Sequence, residues 1–269
     1  MIQMPSRDLP ADAQTKLREY QQTIDEQPEY AQRVALAKIN FGRYNTPKNP
    51  TFRQVRIILA EMCSGAQRCC YCEDSVADEI EHIYPKDLYP EKVFVWTNYL
   101  YACGPCNSPK NNQFAVIIPA TKQLCHVNRL KDAPIVSPQI GQSALIDPRC
   151  EDPLNYLELD LQGTFYFNVR IGLNPTDRLR AEYTRDVLRL NERDYLVEAR
   201  RRFYETYRAR LNEYIQHRDH GVPQSQLETH IAALKKVGHP TVWREMQRQR
   251  ALIAELADLF SQAPEALAW

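Results

Sequence analysis

The stretch from Cys69 to Lys110 reads CCYCEDSVADEIEHIYPKDLYPEKVFVWTNYLYACGPCNSPK. Two Cys-x-x-Cys pairs, Cys69/Cys72 and Cys103/Cys106, stand near its ends, about thirty residues apart. Such a knuckle puts two thiolates on one tight turn, and two knuckles complete the tetrahedral sulfur set that zinc takes. Cys70 competes with Cys69 for the first place, but only Cys69 has the two-residue gap to Cys72. Four thiolates leave no open coordination position, so the expected zinc is structural. The plain alternative is four buried free thiols. Cys63, Cys125 and Cys150 stand singly and read as core residues. In a reducing compartment, paired cysteines of this kind favour metal over disulfide.

Between the knuckles lies Asp78-Glu79-Ile80-Glu81-His82-Ile83-Tyr84-Pro85-Lys86. A carboxylate directly before a histidine, then an apolar residue and a proline, ends a strand with polar side chains at one mouth. Strand alternation puts Glu79 and Glu81 on the same face. Asn98 precedes an apolar run into the second knuckle, and Asn107 and Lys110 follow it. In this order of parts the segment resembles the HNH endonuclease family, specifically its zinc-braced branch. That resemblance implies a small ββα-metal core and hydrolysis of phosphodiester bonds. It assigns His82 as the base that takes a proton from water; an ordinary imidazole, with a pKa of ~6.5, does so near neutral pH. Glu81 and Asn107 are the expected ligands of a hard cation, magnesium or manganese, with Glu79 as an accessory ligand. Asn98 corresponds to the residue that orients the histidine or its surrounding backbone, and Lys110 is expected to contact a phosphate oxygen. For His82 beside Glu81 the ordinary reading is a surface pair; for Asn98 it is a turn residue and for Asn107 a helix cap.

Working outward, residues 11–40 read as two helices split by Pro28, and a third is expected over about Thr51–Cys63, with Thr51 as its cap. Residues 115–153 carry five prolines and read as irregular. The alternation in LNYLELDLQGTFYFNV predicts a β-hairpin turning at Gln162-Gly163. Beyond Asn174 the chain reads as helical, with Asn191 as the N-cap of a long helix to about Gln216. The implied organisation is a helical segment over 1–66, the zinc-braced core over 67–115, linker and hairpin over 116–173, and a helical region over 174–269. The fold class is α+β, a small metal-dependent core embedded in a mainly helical chain.

The chain has 34 basic and 34 acidic residues among 269. Backbone binding of nucleic acid relies on Lys and Arg displacing counterions, so a neutral chain is a weak stand-alone DNA binder. Arg200-Arg201-Arg202, Arg208 and Arg210 are interleaved with Glu198, Glu205 and Glu213, which reads as a salt-bridged helix face before it reads as a phosphate track. No apolar run reaches the ~20 residues of a membrane span, and the amino terminus lacks the apolar core of a signal peptide. The expectation is a soluble, cytoplasmic protein.

Three phrases extend the resemblance: CYCEDSVADEIEHIYPK, the block around Trp96–Asn107, and Leu145-Ile146-Asp147-Pro148-Arg149 followed by Asp152-Pro153. They are similar to HNH subunits of Septu-type and retron-associated anti-phage systems. There the nuclease works beside an ATPase of the ABC or SMC type, which implies such a partner here. DNA is the expected substrate. RNA, such as tRNA, is the alternative, because HNH chemistry does not itself discriminate sugars. A zinc-braced binding module without catalysis is the rival from another class.

Overall fold

A computed structural model describes all residues, 1–269. The chain opens with α1 (Ala11–Asp25) and α2 (Tyr30–Tyr44), with Pro28 in the break between them. Helix α3 (Pro50–Met62) begins one residue earlier than expected. Its cap is Asn49, whose side chain accepts from Phe52 N at 3.2 Å, and Pro50 occupies the first helical position, where its missing N–H costs nothing. Thr51 is instead buried inside the first turn. Phe52, Val55, Leu59 and Met62 share the buried face of α3, which packs on α1 and on the next sheet.

That sheet is β1 (Glu79–His82) paired antiparallel with β2 (Tyr99–Ala102), with Glu79 opposite Ala102 and His82 opposite Tyr99. Helix α4 (Gly104–Lys110) follows at once, so residues 79–110 run strand, strand, helix. Next come β3 (Ala115–Ile117), β4 (Leu124–His126) and β5 (Gln142–Ser143), a small antiparallel sheet in the order β4-β3-β5. This corrects the expectation of irregular chain over 115–153. Strands of two or three residues are too short to display alternation, and the prolines all lie outside them.

The predicted hairpin is present as β6 (Leu157–Leu159) and β7 (Phe167–Val169). Its turn is wider than a two-residue loop. The Asp160 carboxylate accepts from the backbone N–H groups of Gln162, Gly163 and Thr164 at 3.0, 3.2 and 2.8 Å. The helical remainder is α5 (Pro175–Val187), α6 (Asp194–Asp219), α7 (Gln224–Lys235), α8 (Pro240–Gln249) and α9 (Ala254–Gln262). Asn191 does not cap α6. Its amide is committed to the hairpin, accepting from Phe167 N at 2.8 Å and donating to Phe167 O at 2.9 Å.

One continuous apolar cluster of 61 buried residues runs from the N-terminal helices through the cysteine knuckles to α9. Within the arginine row on α6, Arg200 belongs to this packing, while Arg201, Arg202 and Arg210 are exposed. Arg200 is 1% exposed and donates to the carbonyls of Phe165 and Leu190, while Arg202 pairs with Glu198 at 2.9 Å. No helix is long and apolar enough to cross a membrane.

Candidate metal centre and active-site cleft

The Sγ atoms of Cys69, Cys72, Cys103 and Cys106 all lie within 4.8 Å of one another, and all four residues are buried. Cys72 and Cys103 are 3.7 Å apart. A zinc ion bonded to four sulfurs at ~2.3 Å places them roughly 3.8 Å from each other, so the cluster fits a structural zinc. Hydrogen bonds among the four sulfurs hold the Cys72 thiol far below its ordinary range and lower Cys103, while burial pushes Cys69 up and the same sulfur contacts push Cys106 up, so without a metal the four share their protons unevenly. Cys70 stands outside the cage, with its sulfur 3.9 Å from that of Cys63. Arg193, in the connection leading into α6, donates from its guanidinium to Cys106 Sγ at 3.2 Å. A cation there offsets part of the negative charge that four thiolates leave on a zinc ion.

The cage braces the hairpin whose first strand carries Glu79, Glu81 and His82 into an open cleft of about 540 Å³, also lined by Asn107. His82 is 5% exposed, edge-on to Phe41 and Tyr99 with ring centroids 4.5 and 5.2 Å away. Its Nε2 lies 3.0 Å from the Val93 carbonyl oxygen. A carbonyl only accepts, so Nε2 carries the hydrogen and Nδ1 carries the lone pair. Burial, helped by the charges of Lys86 and Lys110, pulls the imidazole down to about 3, well below the ordinary value expected from sequence. The ring is therefore neutral throughout the physiological range.

The carboxylates divide their contacts. Asn107 Nδ2 donates to Glu79 Oε2 at 2.7 Å, which leaves Asn107 Oδ1 unengaged. Glu81 is buried and forms an ion pair with Lys110 at 2.5 Å. Burial pushes the Glu81 carboxyl up, against the opposing pull of Lys110. The structure thus brings Asn107 to Glu79, the expected accessory, while Glu81 faces a cation. Lys110 corrects its own expectation. It is fully buried, and its Nζ also donates to the His82 carbonyl at 2.8 Å, so it braces strand β1 and is not presented to a phosphate. A single proline inside α4 does not prevent this, because the helix ends at Lys110.

Asn98 acts as a clasp. Its Oδ1 accepts from Tyr84 N at 2.8 Å, and its Nδ2 donates to the carbonyls of Tyr84 and Lys92 at 3.0 and 2.9 Å. It closes the loop between β1 and β2 and fixes the backbone one residue before the Val93 carbonyl that holds His82.

No known family profile matches the chain, and no solved structure matches it. Over 151 residues it is 30% identical to the Septu protein PtuB of Bacillus thuringiensis. The match takes in 54% of this chain and 44% of that protein, so the chain spans less than half the length of the curated relative it matches. The chain is distantly homologous to a Septu-system protein.

Sequence reasoning passed over the cations of the cleft. Lys86 and Arg56 both line it. Lys86 makes no ion pair and lies over the Phe41 ring at 5.7 Å, whereas Arg56 is anchored through the Asn45 side chain. Lys86 stood inside the quoted motif and was legible there. Arg56 reaches the cleft only because α3 packs on the sheet, and no local pattern announces that.

Proposed function

We propose that this chain is a metal-dependent endonuclease of the HNH class, hydrolysing phosphodiester bonds of DNA as the effector nuclease of a bacterial anti-phage defence system. The observation that carries the reading is His82, a neutral imidazole with Nε2–H tied to a backbone carbonyl and its Nδ1 lone pair unengaged, on the wall of a carboxylate-lined cleft. The strand, strand, helix order of residues 79–110 over a four-cysteine cage supports it, as does the relationship to a Septu protein.

Glu79 and the Asn107 carbonyl oxygen line the cleft beside Glu81, whose carboxylate would have to release or share Lys110 to join them; such an all-oxygen donor set would suit magnesium or manganese and not a softer ion. When bound, such an ion supplies charge stabilisation at the phosphate and at the leaving oxygen. The protein's own part is to hold His82 neutral and oriented so that Nδ1 takes a proton from the attacking water. An incoming phosphodiester anion raises the affinity of that imidazole for the proton, countering the low value that burial imposes. Lys86, exposed enough to reach solvent, is the cation that meets the phosphate, and Arg56 stands beside it in the same cleft.

The formal charge of zero supports dependence on a second subunit for DNA contact and for the activating signal, an ATPase of the ABC or SMC type. Nicking of supercoiled plasmid with added magnesium or manganese tests the activity. His82→Ala lowers the rate by about 10²- to 10⁴-fold with zinc content retained, assayed at a temperature where the variant, which loses a buried ring, is still fully folded. A variant that nicks at the wild-type rate overturns the assignment, and RNA cleaved in place of DNA overturns the substrate.

A further inference from the structure

Far along the chain from the cleft, α6 and α7 bring three metal-type ligands together. His217 Nδ1 lies 2.8 Å from His230 Nε2, with the rings at 75°. Glu213, one turn before His217 on α6, places a carboxylate oxygen within 4.8 Å of both nitrogens. Neither the cysteine cage nor the cleft uses these residues.

We propose that Glu213, His217 and His230 form a second, exchangeable site for a divalent transition ion, zinc foremost, which fastens α7 to the end of α6. A tetrahedral zinc with bonds of ~2.0–2.1 Å sets its ligand atoms roughly 3.3 Å apart. The two nitrogens need to open by about half an ångström and the carboxylate to close in, both movements within side-chain reach. Two imidazoles and one carboxylate select zinc, cobalt or nickel over magnesium. Three protein ligands leave one position for water or an exchanging group, and both histidines are only half-buried, so the ion enters and leaves from solvent.

Two further features favour a cation at this place. The ligands on α6 lie in its last two turns, where the carbonyl ends of a 26-residue helix carry partial negative charge. Glu213 makes no ion pair or hydrogen bond of its own, so its charge is uncommitted. An ion here also has structural leverage. Helix α7 buries only Leu227 and Leu234, a thin anchor for 12 residues.

The test uses the full chain with its cysteine cage loaded, washed with a weak chelator and then titrated with zinc chloride. A second equivalent binds above the one held by the cage. Binding raises Tm by roughly 5 °C at a hundredfold excess over Kd. Cobalt in its place gives d–d bands without the sulfur charge-transfer of the cage. His217→Asn and His230→Asn each remove the second equivalent and keep the first, and Glu213→Gln weakens it at least tenfold. The proposal is overturned by saturation at one zinc per chain, by a second equivalent that survives the His217→Asn/His230→Asn double variant, or by magnesium competing equally. It does not depend on the nuclease reading.

Discussion

Replacing Asn98 with alanine separates a positioning residue from a mere turn former. The side chain is 3% exposed and satisfies three backbone groups, Tyr84 N–H and the carbonyls of Tyr84 and Lys92. Each buried hydrogen bond is worth about 1 kcal/mol net; alanine removes all three and leaves the Tyr84 N–H and carbonyl without a replacement, while the Lys92 carbonyl keeps only its bond from Val95 N at 3.3 Å. The expected loss is about 3 kcal/mol. In a urea titration this lowers the midpoint by about 1 M at an m-value of about 3 kcal/mol per M, with m itself unchanged. The Val93 carbonyl that fixes the His82 tautomer adjoins the released Lys92 carbonyl, so cleavage falls roughly ten- to hundredfold even at a temperature where the variant is fully folded. Asn98→Asp does no better, because it keeps the acceptor for Tyr84 N–H but sets a carboxylate against two carbonyl oxygens. A loss below about 1 kcal/mol with undiminished cleavage refutes the clasp.

Three other outcomes follow from the same geometry. Lys110→Met leaves Glu81 as an unpaired buried carboxylate and costs about 3–5 kcal/mol at pH 7; the loss shrinks as pH falls and that carboxyl, already pushed up by burial, takes its proton, which paired denaturation curves at pH 7 and pH 5 check. His82 is neutral in the fold down to about 3, whereas the unfolded chain protonates it near 6.5. Its contribution to stability is thus complete above about 6.5 and is lost as pH falls toward 3, with a ceiling of about 5 kcal/mol, and His82→Ala flattens that acid limb. Cys103→Ser opens the cage, so metal analysis shows less than one tightly held zinc per chain and circular dichroism shows a chain that folds poorly; a zinc-free variant with unaltered melting contradicts the cage.

The site was more legible than its wiring. Cysteine spacing announces a cage because zinc geometry is strict, and the choice of Cys69 over Cys70 follows from that spacing alone. The resemblance to HNH endonucleases, and not spacing, named His82, Glu81 and Asn107, with Glu79 as an accessory, and all four line one cleft. The roles of Glu81 and Lys110 were not readable, because their partnership joins residues 29 positions apart across the β1–α4 contact. Propensity also misplaced two caps. Thr51 and Asn191 both have the right chemistry, but Asn49 followed by Pro50 starts α3 one residue earlier, and β7 holds Asn191 through two backbone bonds. The small sheet over 115–143 escaped notice for a different reason. Its strands are two or three residues long and carry no pattern of their own; β3 and β4 pair locally, and the sheet is completed by a distant neighbour, Ser143 opposite Val116.

The contact between Arg193 and Cys106 spans 87 positions of chain and gives synthesis a direction. On the ribosome all four thiols emerge before that arginine does, so the cage can capture its ion while the helices beyond β7 do not yet exist. In the folded chain the Arg193 guanidinium meets the sulfur cluster at Cys106 and supplies the positive charge there. A metal held by the four cysteines would therefore tie residues 69–106 together independently of the later helices, with Arg193 as the link between the two parts of the chain.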